Sequence, residues 1–177
     1  MKTICLYFEI HQIIHLKRYR FFDIGTDHYY YDDYANETSI SDVAEHSYIP
    51  ALTTLLEMVK NSGGAFKVAF SISGVALEQL EIYAPTVLDL LHQLNDTGWW
   101  GLLGGAYSHG LSSLANEDCF KEEVMRQSNK MKQMFGKTPK VFRNSSLIYN
   151  DEIGAVVASM GFKGMLTEGA KHGLGWK

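Results

Sequence analysis

The sequence predicts an α/β fold, a parallel sheet with helices on its faces, open or barrel-like. Three observations carry this. Five short runs of strand character alternate with segments of helical periodicity, the pattern of repeated β–α units. The first run, residues 4–10, is almost continuously apolar, as in a parallel strand buried on both faces. Polar residues of several types follow the strand runs, and parallel strands bring such ends to one rim.

The elements follow in order. Residues 17–47 form a long polar and aromatic stretch with Tyr29, Tyr30, Tyr31, Asp32, Asp33 and Tyr34 at its centre. A stretch of this length reads as a functional or disordered loop, and its acidic part, 23–45, reads as solvated. Pro50 then opens a helix with Leu52, Leu55, Leu56 and Val59 on one face, closed by Gly63 and Gly64. Residues 66–72 alternate as a second strand and end in Ser73-Gly74. A short helix runs to about Tyr83, and Pro85 starts another with Val87, Leu88, Leu91 and Leu94 at helical spacing. Asn95 to Gly98 reads as a turn. Residues 99–103 are a third strand, followed by glycine-rich sequence to Gly110. Asn116 caps a helix whose inner face includes Phe120, Val124, Met131 and Met134, with Gly136 at its end. A fourth strand spans 141–143. Asn150 caps the next helix, with Asp151 and Glu152 complementing its dipole. Gly161 closes that helix, and 162–167 form a fifth strand. There are no internal repeats and no low-complexity tracts.

Composition bounds the function. A chain of 177 residues suits one domain with a real core. Apolar content of 46% and charged content of 20% are those of an ordinary soluble globular protein. A net charge of −4 with no lysine or arginine run gives no electrostatic footprint for nucleic acid or a membrane surface. Cys5 and Cys119 share no metal or redox spacing, so structural thiols are expected. The N-terminal apolar run is too short for a signal peptide, and no stretch approaches membrane-spanning length. A cytoplasmic protein is the simplest expectation. The many aromatic rings can stack on sugars, although ordinary packing accounts for most of them.

The expected rim collects Glu9, His11 and Gln12, then Ser71 and Ser73, then Tyr107, Ser108 and His109. Arg143 and Asn144 follow the fourth strand, and Thr167 and Glu168 the fifth. Such a mixture suits a polar ligand. Each residue also has a structural reading. His11 and His109 could each hydrogen-bond a neighbouring segment. Arg143 could pair with Glu168 or with Glu9, and Glu168 could be a solvated loop residue. Paired carboxylates at such a rim would serve general acid–base chemistry. Glu9 and Glu168 are the only ones at strand ends, and nothing in the sequence brings them face to face.

The run from Arg143 to Tyr149, Arg-Asn-Ser-Ser-Leu-Ile-Tyr, resembles the nucleophile segment of glycoside hydrolase family 57 amylases, usually Arg-Asn-Thr-Glu-Leu-Ile-Tyr. The resemblance extends over essentially the whole chain. It is strongest in LYFEIHQ (6–12), LKRYRFFDIG (16–25), FSISGVALEQLE (70–81), PKVFRN (139–144) and GFKGMLTEGAKHGLGWK (161–177). It implies an incomplete parallel β/α barrel, the N-terminal part of a seven-stranded β/α barrel, and action on α-glucans. The implied mechanism is retaining, with a Glu nucleophile, an Asp acid/base and no metal or other cofactor. It also implies that His11, Gln12, Tyr107, His109, Arg143, Asn144 and Glu168 face a maltooligosaccharide or α-glucan.

Three departures fall at signature positions. The usual His-Gln-Pro is His11-Gln12-Ile13. A glutamate expected after the third strand is replaced by Gly101. The nucleophile position holds Ser146, which has neither a Gly-x-Ser-x-Gly elbow nor an identifiable base. The acid/base Asp belongs to a later region. The expectation is therefore a catalytically inactive, α-amylase-like chain that keeps part of a sugar-binding face. Two other readings stay open. One is an active hydrolase within a longer chain, using a carboxylate such as Glu168. The other is a metal-dependent carbohydrate deacetylase with His11, His109 and a carboxylate on zinc, which lacks a paired Asp-Asp or a His-x-x-x-His at any strand end. Because the sequence stops at Lys177, soon after the fifth strand, a fragment or a truncated gene product is expected.

Overall fold

The computed structural model describes residues 4–26 and 28–169. Five strands form one parallel sheet in chain order: β1 (Tyr7–Ile10), β2 (Val68–Ile72), β3 (Trp100–Gly104), β4 (Val141–Arg143) and β5 (Gly164–Leu166). Glu9 lies opposite Ser71, Ser71 opposite Leu103, and Arg143 opposite Leu166. Helices separate the strands, as parallel crossovers require. They are α1 (Asp33–Val43), α2 (Ile49–Asn61), α3 (Gly74–Tyr83), α4 (Pro85–Asp96), α5 (Ser112–Ala115), α6 (Glu117–Phe135) and α7 (Asp151–Ser159). This is the α/β arrangement expected, an incomplete β/α barrel.

Two apolar clusters hold it together. In the larger one, Leu52, Leu56 and Val59 of α2 and Leu91 and Leu94 of α4 pack with Phe70 and Ile72 of β2. The smaller joins Phe120 and Val124 of α6 to Phe142 of β4 and to Ile153 and Val157 of α7. One buried side-chain donor ties a helix to the sheet. Gln127 on α6 is buried and donates through Nε2 to the Ile72 carbonyl at 3.0 Å, closing the end of β2. Gly74 lets the buried Tyr107 ring lie directly on the start of α3, where a Cβ would penetrate the ring.

Several expectations change. The first strand is shorter than residues 4–10, and Tyr7, Phe8 and Glu9 are exposed rather than buried on both faces. Among the described strands β1 pairs only with β2 and forms an edge of the sheet. The predicted loop 17–47 is helical from Asp33 onward, because Asp32 accepts the Ala35 amide as an N-cap and neither glycine nor proline interrupts the run to Ile49. A π-helical turn, Ala44–Tyr48, joins α1 to α2, so Pro50 falls inside the first turn of α2 instead of opening a new helix. Asn95 and Asp96 belong to α4, and only Thr97 and Gly98 form the turn. Asn116, Gly136 and Asn150 cap their helices as expected. The last part of the 161–177 motif, from residue 170, lies outside the described residues.

Candidate functional site

Four strand ends converge on one polar network. Glu9, the third residue of β1, forms a two-pronged pair with Arg143 at the end of β4. Nη1 donates to Oε1 at 2.5 Å and Nη2 to Oε2 at 2.8 Å. Such fork-to-fork pairing is among the strongest polar contacts a protein makes. Of the two carboxylates that could have met Arg143, it is Glu9. Glu168 is exposed and has no hydrogen bond or ion pair among the described residues.

His109, beyond β3, brings Nδ1 to 3.3 Å from the same Glu9 Oε1. Its ring stacks on that of His11 with centroids 4.4 Å apart. His11 Nδ1 lies 2.8 Å from the Ser73 hydroxyl, whose oxygen also accepts the Ala76 amide as the N-cap of α3. His109 has a φ of 56°, a left-handed conformation uncommon for a residue with a Cβ. Burial holds both imidazoles below the ordinary histidine value. The neighbouring His109 adds to this for His11, and Arg143 adds to it for His109, while Glu9 opposes it in both. The stacked pair is therefore neutral near pH 7.

Gln12 stands at the side of this network. Its carbonyl accepts from Gln79 Nε2 at 3.0 Å, and its own Nε2 reaches the Tyr48 hydroxyl at 3.5 Å. Burial pushes the Tyr48 phenol up. The sequence alone does not single out Tyr48, which falls between the stretch 17–47 and the helix expected from Pro50. Continuing the helical period of α2 backwards through Ile49 would have found it.

The remaining candidates lie elsewhere. Asn144 is completely buried and ties the turn after β4 together, donating to Ser113 Oγ and to the Ile148 carbonyl, each at 3.0 Å. Tyr107 points toward the helices, where its hydroxyl donates to Glu78 and its ring lies 3.8 Å from the Arg126 guanidinium carbon. Burial, and then the bond to Glu78, push that phenol up to about 12. Ser146 is exposed on a short 3₁₀ turn with φ of 53°, and Leu147 follows at 58°. Gly101 sits in mid-strand, where a Cβ would meet only the Ala69 methyl at 3.7 Å, so the backbone does not demand glycine there. Among the described residues, no cluster of three or more His, Cys, Asp or Glu is arranged to hold a metal ion. No helix among them is long and apolar enough to cross a membrane.

Known proteins resemble this chain in sequence and in fold. The "Putative alpha-amylase" of Methanocaldococcus jannaschii is 39% identical over 149 residues, covering 84% of this chain and 32% of that protein. Among solved structures, the 4-alpha-glucanotransferase from Thermococcus litoralis superposes with a TM-score of 0.67 at 16% identity, over 91% of this chain and 21% of that one. A CE4 family pseudoenzyme from Bacillus anthracis gives 0.55 at 13% identity, over 68% of this chain and 40% of that one. At such identities the two structures report the fold alone. The chain spans about a third of the length of the curated relative. The pattern of Glycosyl hydrolase family 57 matches residues 5–177, and the chain belongs to that family.

Proposed function

We propose that this chain is an α-amylase-like arc of a β/α barrel that binds α-glucan at its rim and does not hydrolyse it. One observation carries the reading. Glu9, the carboxylate at the centre of the rim network, has both oxygens engaged by the Arg143 fork, and one of them also faces His109. To reach an anomeric carbon, either oxygen of this carboxylate would first have to give up its guanidinium hydrogen bond. Position 146, where the family resemblance puts the nucleophile, holds a serine. A retaining reaction needs a second carboxyl group about 5 Å from the first. Glu168, the other candidate, makes no described contact with the network.

The neutral histidine pair and Gln12 are the groups offered to a sugar. Neutral imidazole and amide groups both donate and accept, which suits hydroxyls. The experiment is a thermal melt of the chain with and without maltoheptaose, beside a reducing-sugar assay. The expected result is a transition raised by the sugar, since a ligand selective for the native state stabilises it, and no reducing sugar released. Hydrolysis above the buffer rate refutes the inactivity. A cooperative melt indifferent to sugar refutes the binding.

A further inference from the structure

A second polar and aromatic cluster lies outside the Glu9–Arg143 network, where the chain preceding α1 folds back beside α3. Backbone bonds pin this segment. Lys17 N donates to the Tyr30 carbonyl at 2.8 Å, and Asp32 N donates to the His15 carbonyl at 3.0 Å. Between the two elements is a cleft of about 190 Å³ lined by Tyr29, Tyr31, Asp33, Gln79, Ile82 and Tyr83. Tyr31 is about half exposed and meets the Tyr29 ring edge to face, with centroids 5.7 Å apart.

Two acceptor atoms at the cleft have no donor among the described residues. The hydroxyls of Tyr29 and Tyr83 both bond Oδ1 of Asp33, at 2.6 and 3.3 Å, and Oδ2 takes no hydrogen bond among the described residues. Gln79 is 5% exposed, and its Oε1 is buried without a partner. The amide cannot simply be turned round, because the Gln12 carbonyl needs the Nε2 donor it receives at 3.0 Å. A buried acceptor left unpaired is costly and calls for a partner.

We propose that this cleft binds one neutral, hydroxyl-rich ring, a single glucosyl unit of an α-glucan, beside the rim network and separate from it. The choice of glucose rests on the α-glucan reading above. The Tyr31 and Tyr83 rings supply apolar stacking surface, while Asp33 and Gln79 accept hydroxyl protons. Typical pockets for drug-sized ligands are roughly 300–1,000 Å³, so the smaller cleft holds one ring rather than several. The Asp33 carboxylate disfavours an anion. Lys17 Nζ, 4.7 Å from the Tyr29 ring centroid, already occupies the place an ammonium ligand would take. Gln79, in the cleft lining, also donates to the Gln12 backbone carbonyl at 3.0 Å.

The test is a maltose titration of the full ¹⁵N-labelled chain, followed by amide shifts. Asp33→Asn and Tyr83→Leu are the cleft variants, each accepted only with a cooperative melt. The expected result is saturable shifts within 29–36 and 78–83 that weaken about tenfold in either variant, the loss expected for one hydrogen bond to a charged group or one stacking face. Shifts confined to residues 9–12, 73 and 109 overturn the cleft site and leave the rim reading intact. Cleft shifts with a silent rim uphold the cleft and sink the rim reading. Shifts nowhere overturn both, and cleft shifts undiminished in both variants overturn the cleft site. So does a response to tetramethylammonium in place of maltose.

Discussion

Cutting the Glu9–Arg143 pair from either side should give unequal costs, and the inequality tests how the rim is built. Arg143 is 7% exposed, whereas the Glu9 side chain is 33% exposed. Leaving a fully buried charge without its partner costs roughly 3–5 kcal/mol, while a fully exposed pair contributes roughly 0–1 kcal/mol. Glu9→Gln strands the buried guanidinium and should cost about 2 kcal/mol, between those limits. For a chain of this size that lowers the Tm by about 4–8 °C. Arg143→Met fills the same space without a charge and also removes the unpartnered Nε. The Glu9 carboxylate it leaves behind can hydrate through its exposed third, so the cost should be about 1 kcal/mol. The double variant should be no less stable than Glu9→Gln alone, because no charge is left stranded. Urea midpoints of the four proteins measure this. If Arg143→Met costs as much as Glu9→Gln, the guanidinium is not the vulnerable partner and the reasoning fails.

Three further outcomes are expected. Ser146→Glu alone should not restore hydrolysis, because the new carboxylate would sit on a left-handed turn while Glu9 stays engaged by Arg143; reducing sugar released by that single variant would sink the inactive reading. The two histidines are held below their unfolded value near 6.5, so the unfolded chain takes up protons first on acidification. Their contribution to stability is therefore complete above about pH 6.5 and is lost as the pH falls from there toward the lower folded values. The urea midpoint should drop between about pH 7.5 and about pH 5.5, less steeply in His109→Gln; a midpoint that rises on acidification contradicts this. Asn150→Ala removes the cap that accepts the Ile153 amide at 2.7 Å and should cost about 1 kcal/mol, read from the same urea curves, whereas Asn150→Ser should recover most of it.

The sequence by itself determined the repeating strand–helix order, the strand at residues 141–143 and the caps at Asn116 and Asn150. These depend on neighbours within one turn or one strand, where a side-chain amide and a local apolar period decide the outcome. It also placed Glu9, His11, Ser73, His109 and Arg143 at the strand ends, because a parallel sheet allows no other arrangement of those positions. The helix from Asp33 was hidden because its apolar face is weak. Only Asn36 and Ile40 are buried along α1, and Asn36 is held by the His15 backbone far away in the chain.

Tertiary structure alone decided which rim groups meet. Glu9 and Arg143 are 134 residues apart, and their pairing depends on the order and register of the strands between them. The same holds for the stacked histidines, for Tyr107 turning toward Glu78 and Arg126, and for the burial of Asn144 beneath the turn that carries Ser146. Direction and burial belong to packing between elements distant in sequence, and no local pattern encodes them.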